Sequence, residues 1–510
     1  MSLPVVGTSN NNNSTTSVNA TNNNAGVTTS SGVEDLEPAQ GERYVLKAET
    51  ELRLEIPHGR SSSSCCTIKL VIGSCELWGT ELALNHNYVL TGGMKLALFT
   101  WHGCTIDIDC DSMDNIYSYT SSETNANVAY VNTHAQLETQ RDAALAAQSE
   151  GPRVLIAGPP ESGKSSLAKV LIAYATKLGR TPLWVDLDPS DNALSVPGTI
   201  GVAPMTASAI SVDIYATTGL PPGTASQLCL WFGSTSLEKC IDLYKAQVAS
   251  LANKIDKRLE GDIHARASGF IVNTNGWIQD GGYDLLLHAI EALRITVVLV
   301  MGHDRLYSMI NSHISKSPQG FSNTIKLIKL PRSGGVVSRD TAFRRQSLSL
   351  SMKRYFHGDM VPSSSAAQQQ LQKDNSVTTN KELAANRVPQ LTPFLAHVSF
   401  KDITLYKLSS VALSASLLPV SATQATEAVQ LNEVRVTEQL QHSLLAVCHP
   451  TAVERYERSQ STKDLYETGV AGFCSVDRVL MDTEMLHLLC PCAGALPSHT
   501  LLVGDITWME

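Results

Sequence analysis

Long apolar runs, clustered cysteines and an excess of positive charge are all missing from this sequence of 510 residues. The longest apolar stretches, such as residues 295–301, fall far short of the roughly 20 residues that span a bilayer, so we expect no membrane partner. The N-terminus lacks the apolar core of a signal peptide, which favours an intracellular protein. The net charge of −9 argues against non-specific coating of nucleic acid, although it allows a local basic cleft.

The cysteines do not form the pattern of a disulfide-rich or metal-binding protein. Eleven of them are scattered over the whole length, and neither Cys65-Cys66 nor Cys490-x-Cys492 is accompanied by a CxxC or a histidine pair. Thiols of an intracellular protein are kept reduced. We therefore expect scattered structural thiols rather than disulfides or metal ligands.

Changes in composition along the chain divide it into five predicted segments. Residues 1–40 are rich in Asn, Ser and Thr and are predicted to be disordered, because they bury too little apolar surface. Short alternating runs in 41–140 predict a small all-β domain, either a sandwich or a barrel. Strands and helices alternate over 141–360, as in an α/β domain whose mostly parallel sheet is covered on both faces. A Ser/Gln/Asn-rich linker is predicted at 361–390, and a β-rich domain at 391–510.

The apolar patterns also place individual elements of the central region. The predicted helices are 135–148, 166–178, 237–257, 283–293, 304–314 and 339–354. The predicted strands are 153–157, 182–187, 268–273, 295–301 and 324–330.

A phosphate-binding loop is the strongest motif in the chain. Residues 158–166 fit the P-loop pattern G-x-x-x-x-G-K-[ST], and they lie between a predicted strand and a predicted helix, as the motif requires. Backbone N–H groups and the helix N-terminus would face the phosphates. Lys164 would reach the outer phosphates, and the Ser165 hydroxyl would bind Mg²⁺. The sequence therefore predicts a nucleotide site.

Two carboxylates, Asp186 and Asp188, end the strand that follows this helix. The carboxyl edge of an open α/β sheet is where ligands bind, so these side chains should lie beside the phosphates. Alternation puts them on one face, one for catalysis and the other for support. A plain strand-end turn with Pro189 is the alternative, and the P-loop favours Asp188 as catalytic base or Mg²⁺ ligand.

Basic and aromatic residues suggest a lid and a base-stacking site, each with a structural alternative. Arg339 and Arg344 follow a Gly-rich loop, and a mobile basic lid would stabilise the charge of phosphoryl transfer. A solvated basic helix face explains them equally well. Trp277, on a strand-end loop, could stack a nucleobase, but burial in the core is the commoner fate of such a residue.

Several motifs occur together in a fixed order and identify a family. They are residues 49–53, Lys95, 99–104, the P-loop, the Asp188 strand, 232–235, 272–277 and 333–337 with Arg339 and Arg344. This set resembles the eukaryotic polynucleotide 5′-hydroxyl kinases that also serve as a subunit of the nuclear pre-mRNA cleavage and polyadenylation machinery (cleavage factor IA or II). The resemblance covers residues 47–356 and 393–510.

The resemblance implies a central P-loop kinase domain flanked by an N-terminal β-sandwich and a C-terminal β-rich domain. The implied roles are as follows: ATP binding by Glu51, Lys95, Glu161, Ser162, Gly163, Lys164, Ser165 and Ser166; catalysis by Lys164, Asp188, Arg339 and Arg344; Mg²⁺ binding by Ser165 and Asp188; and RNA binding by Thr235 and Trp277. It also implies a nuclear protein with three kinds of partner. These are the large scaffold subunit that contacts RNA polymerase II, the other cleavage factor IA subunits, and RNA.

Two functions remain open at this point. One is an ATP-binding subunit required for endonucleolytic cleavage before polyadenylation. The other is an active kinase that phosphorylates RNA 5′-hydroxyl ends, including a use in tRNA splicing. Family kinases usually carry Gly and Gln where this chain has Ser190 and Asp191, and an added carboxylate near phosphate counts against activity. The intact Asp188, Arg339 and Arg344 argue against its loss. A GTPase is disfavoured, because no Asn/Thr-Lys-x-Asp motif is present.

Overall fold

A computed structural model describes most of the chain between residues 41 and 509. The described residues are 41–56, 65–110, 116–206, 212, 227–316, 325–358, 360–362, 387–389, 391–410 and 429–509. The predicted disordered segment 1–40 and most of the predicted linker 361–390 lie outside them. In the described part, no helix has the length and apolar character needed to cross a membrane.

Two antiparallel sheets form the N-terminal region. Their strands are β1 Glu42–Leu46, β2 Thr50–Glu55, β3 Cys65–Gly73, β4 Glu76–Leu77, β5 Thr80–Glu81, β6 Asn87–Thr91, β7 Lys95–Thr100, β8 Cys104–Cys110 and β9 Tyr117–Ser121. One sheet has the order β1-β8-β3-β6 and the other β5-β4-β7-β2-β9. Inward-facing residues of both sheets, such as Ile68 and Leu98, share one buried core. This arrangement confirms the β-sandwich.

One pair of cysteines departs from the expectation of reduced thiols. Cys66 on β3 pairs with Cys110 on β8, and the two are joined by a disulfide. The sequence gave no sign of this pair, because the two cysteines are 44 residues apart and only the pairing of β3 with β8 brings them together. Among the described residues, no cluster of three or more His, Cys, Asp or Glu side chains is arranged to hold a metal ion.

The central region is a seven-stranded sheet with helices on both faces. Its elements are α1 Asn125–Ala146, β10 Arg153–Ala157, α2 Lys164–Lys177, β11 Leu183–Asp186, β12 Thr199–Pro204, β13 Leu228–Trp231, α3 Ile241–Glu260, α4 Ile263–Ser268, β14 Phe270–Asn273, α5 Gly281–Ala292, β15 Val297–Met301, α6 Asp304–Lys316 and β16 Lys326–Leu330. The strand order is β13-β12-β11-β14-β10-β15-β16, and the last five of these strands are parallel.

Alternate residues of the central strands enter two separate cores. Leu155 of β10 packs with residues of α3, α5 and α6 on one face, whereas Ile156 packs with residues of α1 and α2 on the other. Every residue of β10 is buried, as expected of a strand covered on both sides. The predicted α/β class is confirmed.

Several central elements differ from the predictions. The antiparallel strands β12 and β13 were not predicted. Helix α1 begins ten residues earlier than predicted, and the predicted domain boundary between 140 and 141 falls within it. The predicted helix 237–257 is broken at Cys240, where a short 3-10 turn, Leu237–Lys239, precedes α3.

The C-terminal region is β-rich, as predicted. It contains α7 Thr341–His357, β17 Met360–Pro362, β18 Arg387–Pro389, β19 Phe394–Ser399, β20 Thr404–Ser410, β21 Val429–Glu433, β22 Ser443–Cys448, α8 Pro450–Ser459, α9 Lys463–Tyr466, β23 Val470–Leu480, β24 Met485–Cys490 and β25 Thr500–Thr507. Helix α7 begins at Thr341, so Arg339 lies before the helix and not within it. Short 3-10 turns occupy Phe400–Asp402 and Glu438–Leu440.

A second seven-stranded sheet, β19-β24-β23-β22-β25-β20-β21, makes up most of this region. It packs against the β13 edge of the central sheet, where Trp231 shares a core with Phe473 and Ile506. Strands β17 and β18 pair with each other, so they bring together the two ends of the predicted linker 361–390.

Candidate nucleotide and RNA site

The phosphate-binding loop connects the buried strand β10 to helix α2. Glu161 and Gly163 have positive φ angles of 58° and 91°, which turn the loop back on itself before the helix begins. A Cβ atom at Gly158 would lie 2.7 Å from Ser162 Oγ, so any larger residue there would displace this hydroxyl. Ser162 Oγ is buried and has no hydrogen-bond partner in the described part of the chain. A buried unpaired hydroxyl in a loop of this shape fits an anion that accepts its hydrogen bond.

Lys164, the first residue of α2, is held inside this loop. Its Nζ donates to the carbonyl oxygens of Gly158 at 3.0 Å and Pro159 at 2.8 Å. Burial lowers the pKa of Lys164 to about 8, and the nearby Asp188 and Asp186 oppose the shift only partly. A bound phosphate would stabilise the charged ammonium more strongly than the two neutral carbonyl groups do.

Asp186, at the end of β11, is fully buried and fully hydrogen-bonded. Its carboxylate accepts from Asp188 N at 3.0 Å, Ala193 N at 2.9 Å and Asn273 Nδ2 at 3.1 Å. Burial is the largest cause that raises its pKa, to about 7. These contacts fix the backbone after β11, and they agree with a supporting role for Asp186, which stays a prediction.

Asp188 is half-buried and lies where the chain leaves β11. Its Oδ1 accepts three hydrogen bonds, from Ser190 N at 2.9 Å, Ser190 Oγ at 2.6 Å and Asn275 Nδ2 at 2.8 Å. No residue within the described ranges donates to Oδ2. One carboxylate oxygen is therefore anchored, and the other is available to accept a proton or bind a metal.

The two predicted lid arginines reach over the phosphate-binding loop. Glu161 Oε1 accepts from Arg339 N at 2.9 Å and from Arg344 Nη2 at 2.5 Å. The hydrogen bond from the Arg339 backbone is the largest cause that lowers the pKa of Glu161. The Arg339 guanidinium also pairs with Asp191 Oδ2 at 3.0 Å. Asp191 is therefore a partner of the lid, whereas the sequence suggested only an added charge close to phosphate.

The N-terminal sandwich supplies one wall of the site. Glu51 is buried, accepts from Arg53 Nε at 2.5 Å, and has its pKa raised chiefly by burial. Lys95 Nζ pairs with Glu55 at 3.0 Å and donates to the carbonyl oxygen of Ser338, just before the lid, at 3.4 Å. The sandwich is thereby linked directly to the lid.

Thr235 and Trp277 follow the ends of β13 and β14, respectively, and both line the site. The Trp277 ring packs against Gly281 and Gly282 and joins the core beneath α3 and α5, yet it remains half-buried. The Trp277 ring thus contacts the core, as one interpretation expected, and is also accessible, as base stacking requires. RNA binding by Trp277 and Thr235 stays a prediction.

All predicted site residues line a single cavity of about 970 Å³. They are Glu51, Lys95, Glu161, Ser162, Gly163, Lys164, Ser165, Ser166, Asp188, Thr235, Trp277, Arg339 and Arg344. Sequence reasoning missed other lining residues: Glu76, Trp78, Tyr130, Tyr174 and Asn275. For Asn275, a usable signal was a polar residue just past a strand end, two positions before Trp277. The first four are brought there by contacts between the sandwich, α1 and α2, which no local pattern shows.

The donor set fits a magnesium ion held by few protein ligands. The Ser165 hydroxyl lies in the first turn of α2, and Asp188 has one available carboxylate oxygen, both lining the same cavity. Mg²⁺ usually takes one or two such ligands together with waters and substrate phosphates. The absence of a dedicated cluster of acidic or histidine ligands in the described residues is compatible with that mode.

A Gly-bounded loop of this shape, between a parallel strand and a helix N-terminus, places the chain among the P-loop nucleotide-binding proteins. Matches to three family models identify the family within this class. Residues 45–144 match the N-terminal β-sandwich domain of polyadenylation factor, 158–358 match the mRNA cleavage and polyadenylation factor CLP1 P-loop, and 391–510 match the pre-mRNA cleavage complex II protein Clp1. The chain belongs to the Clp1 family.

Individual relatives resemble it over nearly their full length. A protein CLP1 homolog of Dictyostelium discoideum is 34% identical over 467 residues, which cover 91% of this chain and 89% of the relative. The polyribonucleotide 5′-hydroxyl-kinase Clp1 of Homo sapiens is 31% identical over 468 residues, or 92% and 96% of the two chains. A solved complex of Clp1p with Pcf11p has the same fold, with a TM-score of 0.72 at 22% identity over 92% of this chain and 98% of that one.

Proposed function

We propose that this chain is the ATP-binding subunit of a nuclear pre-mRNA 3′-end cleavage and polyadenylation complex, required for the cleavage step. Membership of the Clp1 family supports the assignment, together with full-length similarity to its curated members. The observation that carries ATP binding is the cavity that gathers the phosphate-binding loop, Glu51, Lys95 and both lid arginines. A large scaffold subunit, of the kind represented by Pcf11p in the solved complex, is the proposed partner.

A depletion and add-back experiment in nuclear extract tests the subunit role directly. Removing this protein from a nuclear extract of its own organism should abolish cleavage of a pre-mRNA at its polyadenylation site, and adding back the purified full-length chain should restore it. A pre-cleaved RNA serves as the control, since its polyadenylation should continue without the protein. Undiminished cleavage in a fully depleted extract would contradict the proposal.

A second function, RNA 5′-hydroxyl kinase, is favoured by the available Oδ2 of Asp188 beside the phosphate-binding loop. In this reaction the RNA 5′-oxygen forms a bond to the γ-phosphorus of ATP. The bond between that phosphorus and the β,γ-bridging oxygen breaks, and ADP leaves with the electron pair. Asp188 accepts the hydroxyl proton and later releases it to solvent. Arg339 and Arg344 stabilise the charge on the transferred group.

The remaining residues bind and orient the two substrates. Lys164 and the loop N–H groups hold the phosphates, and Glu51 and Lys95 contact the adenosine. Thr235 and Trp277 bind the terminal nucleotides of the RNA. Bound Mg²⁺, held by the Ser165 hydroxyl and, through its water shell, by Asp188, would neutralise charge on the phosphate oxygens.

The pKa of Lys164 predicts a pH dependence of ATP binding. In the free protein this pKa is lowered to about 8, and a bound triphosphate raises it because negative charge favours the ammonium form. ATP binding should therefore take up a proton above about pH 8, and affinity should fall as the pH rises through that window. Calorimetry at about pH 8.5 in two buffers of different ionisation enthalpy measures the uptake.

Lys164→Arg provides the comparison for this experiment, because a guanidinium does not lose its proton in this range. The variant should show less proton uptake than the native protein. Lys169, a half-buried lysine of the same helix, also has its pKa lowered to about 8, but it is present in both proteins and its contribution cancels in the difference. Equal uptake by both proteins would exclude Lys164 as the titrating group.

A further inference from the structure

Asn275 joins two functional groups of the site through its two amide atoms. Its Nδ2 donates to Asp188 Oδ1 at 2.8 Å, and its Oδ1 accepts from the backbone N–H of Trp277 at 2.8 Å. A flipped amide would place oxygen against the carboxylate and NH₂ against an N–H group, so only one orientation satisfies both neighbours. A single side chain thus connects the proposed base to the proposed nucleotide-stacking residue.

The turn that carries Asn275 is itself firmly held. Thr274 Oγ1 donates to the carbonyl oxygen of Ile156 on β10 at 2.7 Å. A Cβ atom at Gly276 would lie 2.6 Å from the backbone nitrogen of Pro160, so the turn rests directly on the phosphate-binding loop. Asn275 therefore projects from a fixed support, as a residue that orients another group must.

The hydrogen bond from Asn275 changes what the Asp188 carboxylate can do. The other two donors to Oδ1 both belong to Ser190, two residues further along the same turn, and they move together with Asp188. Asn275 is the donor that comes from a different strand end. Without the hydrogen bond from Asn275, the orientation of the Asp188 carboxylate is no longer fixed relative to β14 and the phosphate-binding loop.

We propose that Asn275 is a positioning residue that fixes the Asp188 carboxylate and couples it to the Trp277 turn. The proposal rests on the kinase function. When the end of an RNA binds at Trp277, the Oδ2 atom of Asp188 is then already oriented to accept the proton of its 5′-hydroxyl. The competing role is purely structural, in which Asn275 only stabilises the turn through its bond to the Trp277 backbone.

Asn275→Asp separates these two roles. The substituted carboxylate still accepts from the Trp277 N–H, but it replaces the donor to Asp188 by a like charge. We expect kcat for transfer to a 5′-hydroxyl oligoribonucleotide to fall at least about 10-fold, with KM for the RNA changed less than about threefold. A like charge beside Oδ1 should also turn the Asp188 carboxylate out of its native orientation, which a crystal structure of the variant would record. A structural role alone would leave both kcat and this orientation unchanged.

Asn275→Ala is the second variant, and Asn311→Ala, at an exposed position on α6, is the matched control. Loss of both bonds in Asn275→Ala should lower kcat and raise KM together, while Asn311→Ala should change neither. A kcat within about twofold of the native value in Asn275→Asp would overturn the proposal.

Crystal structures with a non-hydrolysable ATP analogue keep this test separate from the kinase question. The Asp188 carboxylate should rotate away from its native orientation in Asn275→Asp and become less ordered in Asn275→Ala. Native orientation and order in both variants would overturn the positioning role, whether or not the native protein transfers phosphate. Native protein that binds ATP without transferring phosphate would instead contradict the kinase function alone.

Discussion

Lys164→Ala is expected to weaken ATP binding about 10- to 100-fold. The substitution removes a charge-assisted hydrogen bond to phosphate, which contributes about 1.5–3 kcal/mol, and each 1.4 kcal/mol corresponds to about a factor of ten in affinity. Calorimetry with the native and variant proteins at neutral pH measures the change. Lys177→Ala, at the exposed end of the same helix, is the control and should bind ATP as the native protein does.

Protein stability should distinguish lost binding from lost folding in this variant. Burial disfavours the charged form of Lys164, as its lowered pKa shows, and its Nζ contacts only two carbonyl groups of the loop. Removing the ammonium relieves the cost of its burial but leaves these two carbonyl oxygens without a donor, so the two effects on the free protein oppose each other. The melting temperature without ATP should therefore stay close to the native value, while the increase on adding ATP should largely disappear. Unchanged ATP affinity would show that Lys164 is not a phosphate ligand.

The parts of the site that could be predicted from the sequence are those encoded by short contiguous patterns. The loop before Lys164 has fixed glycine positions, and the strand that ends near Asp188 is apolar and bounded by polar residues. Parallel strands deliver their ends to one edge, so the sequence also implied that these motifs meet. The cavity lined by all of them agrees with this reasoning.

The parts that could not be predicted depend on contacts between distant segments. Strands β12 and β13 are short and are defined by antiparallel pairing rather than by their own composition. Helix α1 has an N-terminal half with poor helix formers and no side-chain cap, and packing against α2 and α4 supports it instead. The three donors to Asp188 could not be read from spacing either, because one of them, Asn275, comes from another strand 87 residues away.

Whether the lid can act depends on how tightly its arginines are held by protein carboxylates. The pair between Arg339 and Asp191 is nearly half-exposed on both sides, and Arg344 is also exposed where it meets Glu161. Pairs of this kind contribute about 0–1 kcal/mol. A triphosphate carries far more negative charge than one carboxylate, so it should displace both. We therefore expect Asp191 to compete with the nucleotide for Arg339 without preventing the lid from closing on phosphate.

Arg344→Ala should accordingly lower the rate of phosphate transfer by about 10³-fold or more, while ATP affinity changes much less. Arginines that stabilise the transferred phosphoryl group contribute about 10³ to 10⁵ in kcat. Single-turnover transfer of labelled γ-phosphate to a 5′-hydroxyl oligoribonucleotide measures the rate, and calorimetry measures the affinity. Lys353→Ala, an exposed position on the same helix, is the control and should retain native transfer.

Native protein provides the decisive baseline for this prediction. If it binds ATP but transfers no phosphate over several hours, the kinase function is wrong and the nucleotide is a structural ligand of the complex. Asp191→Gln then identifies the cause, because it removes the carboxylate that pairs with Arg339 and restores the amide that family kinases usually carry. Transfer regained in that variant would make Asp191 the inactivating substitution. Continued inactivity would show that the ion pair between Asp191 and Arg339 is not the cause, because the variant no longer forms it.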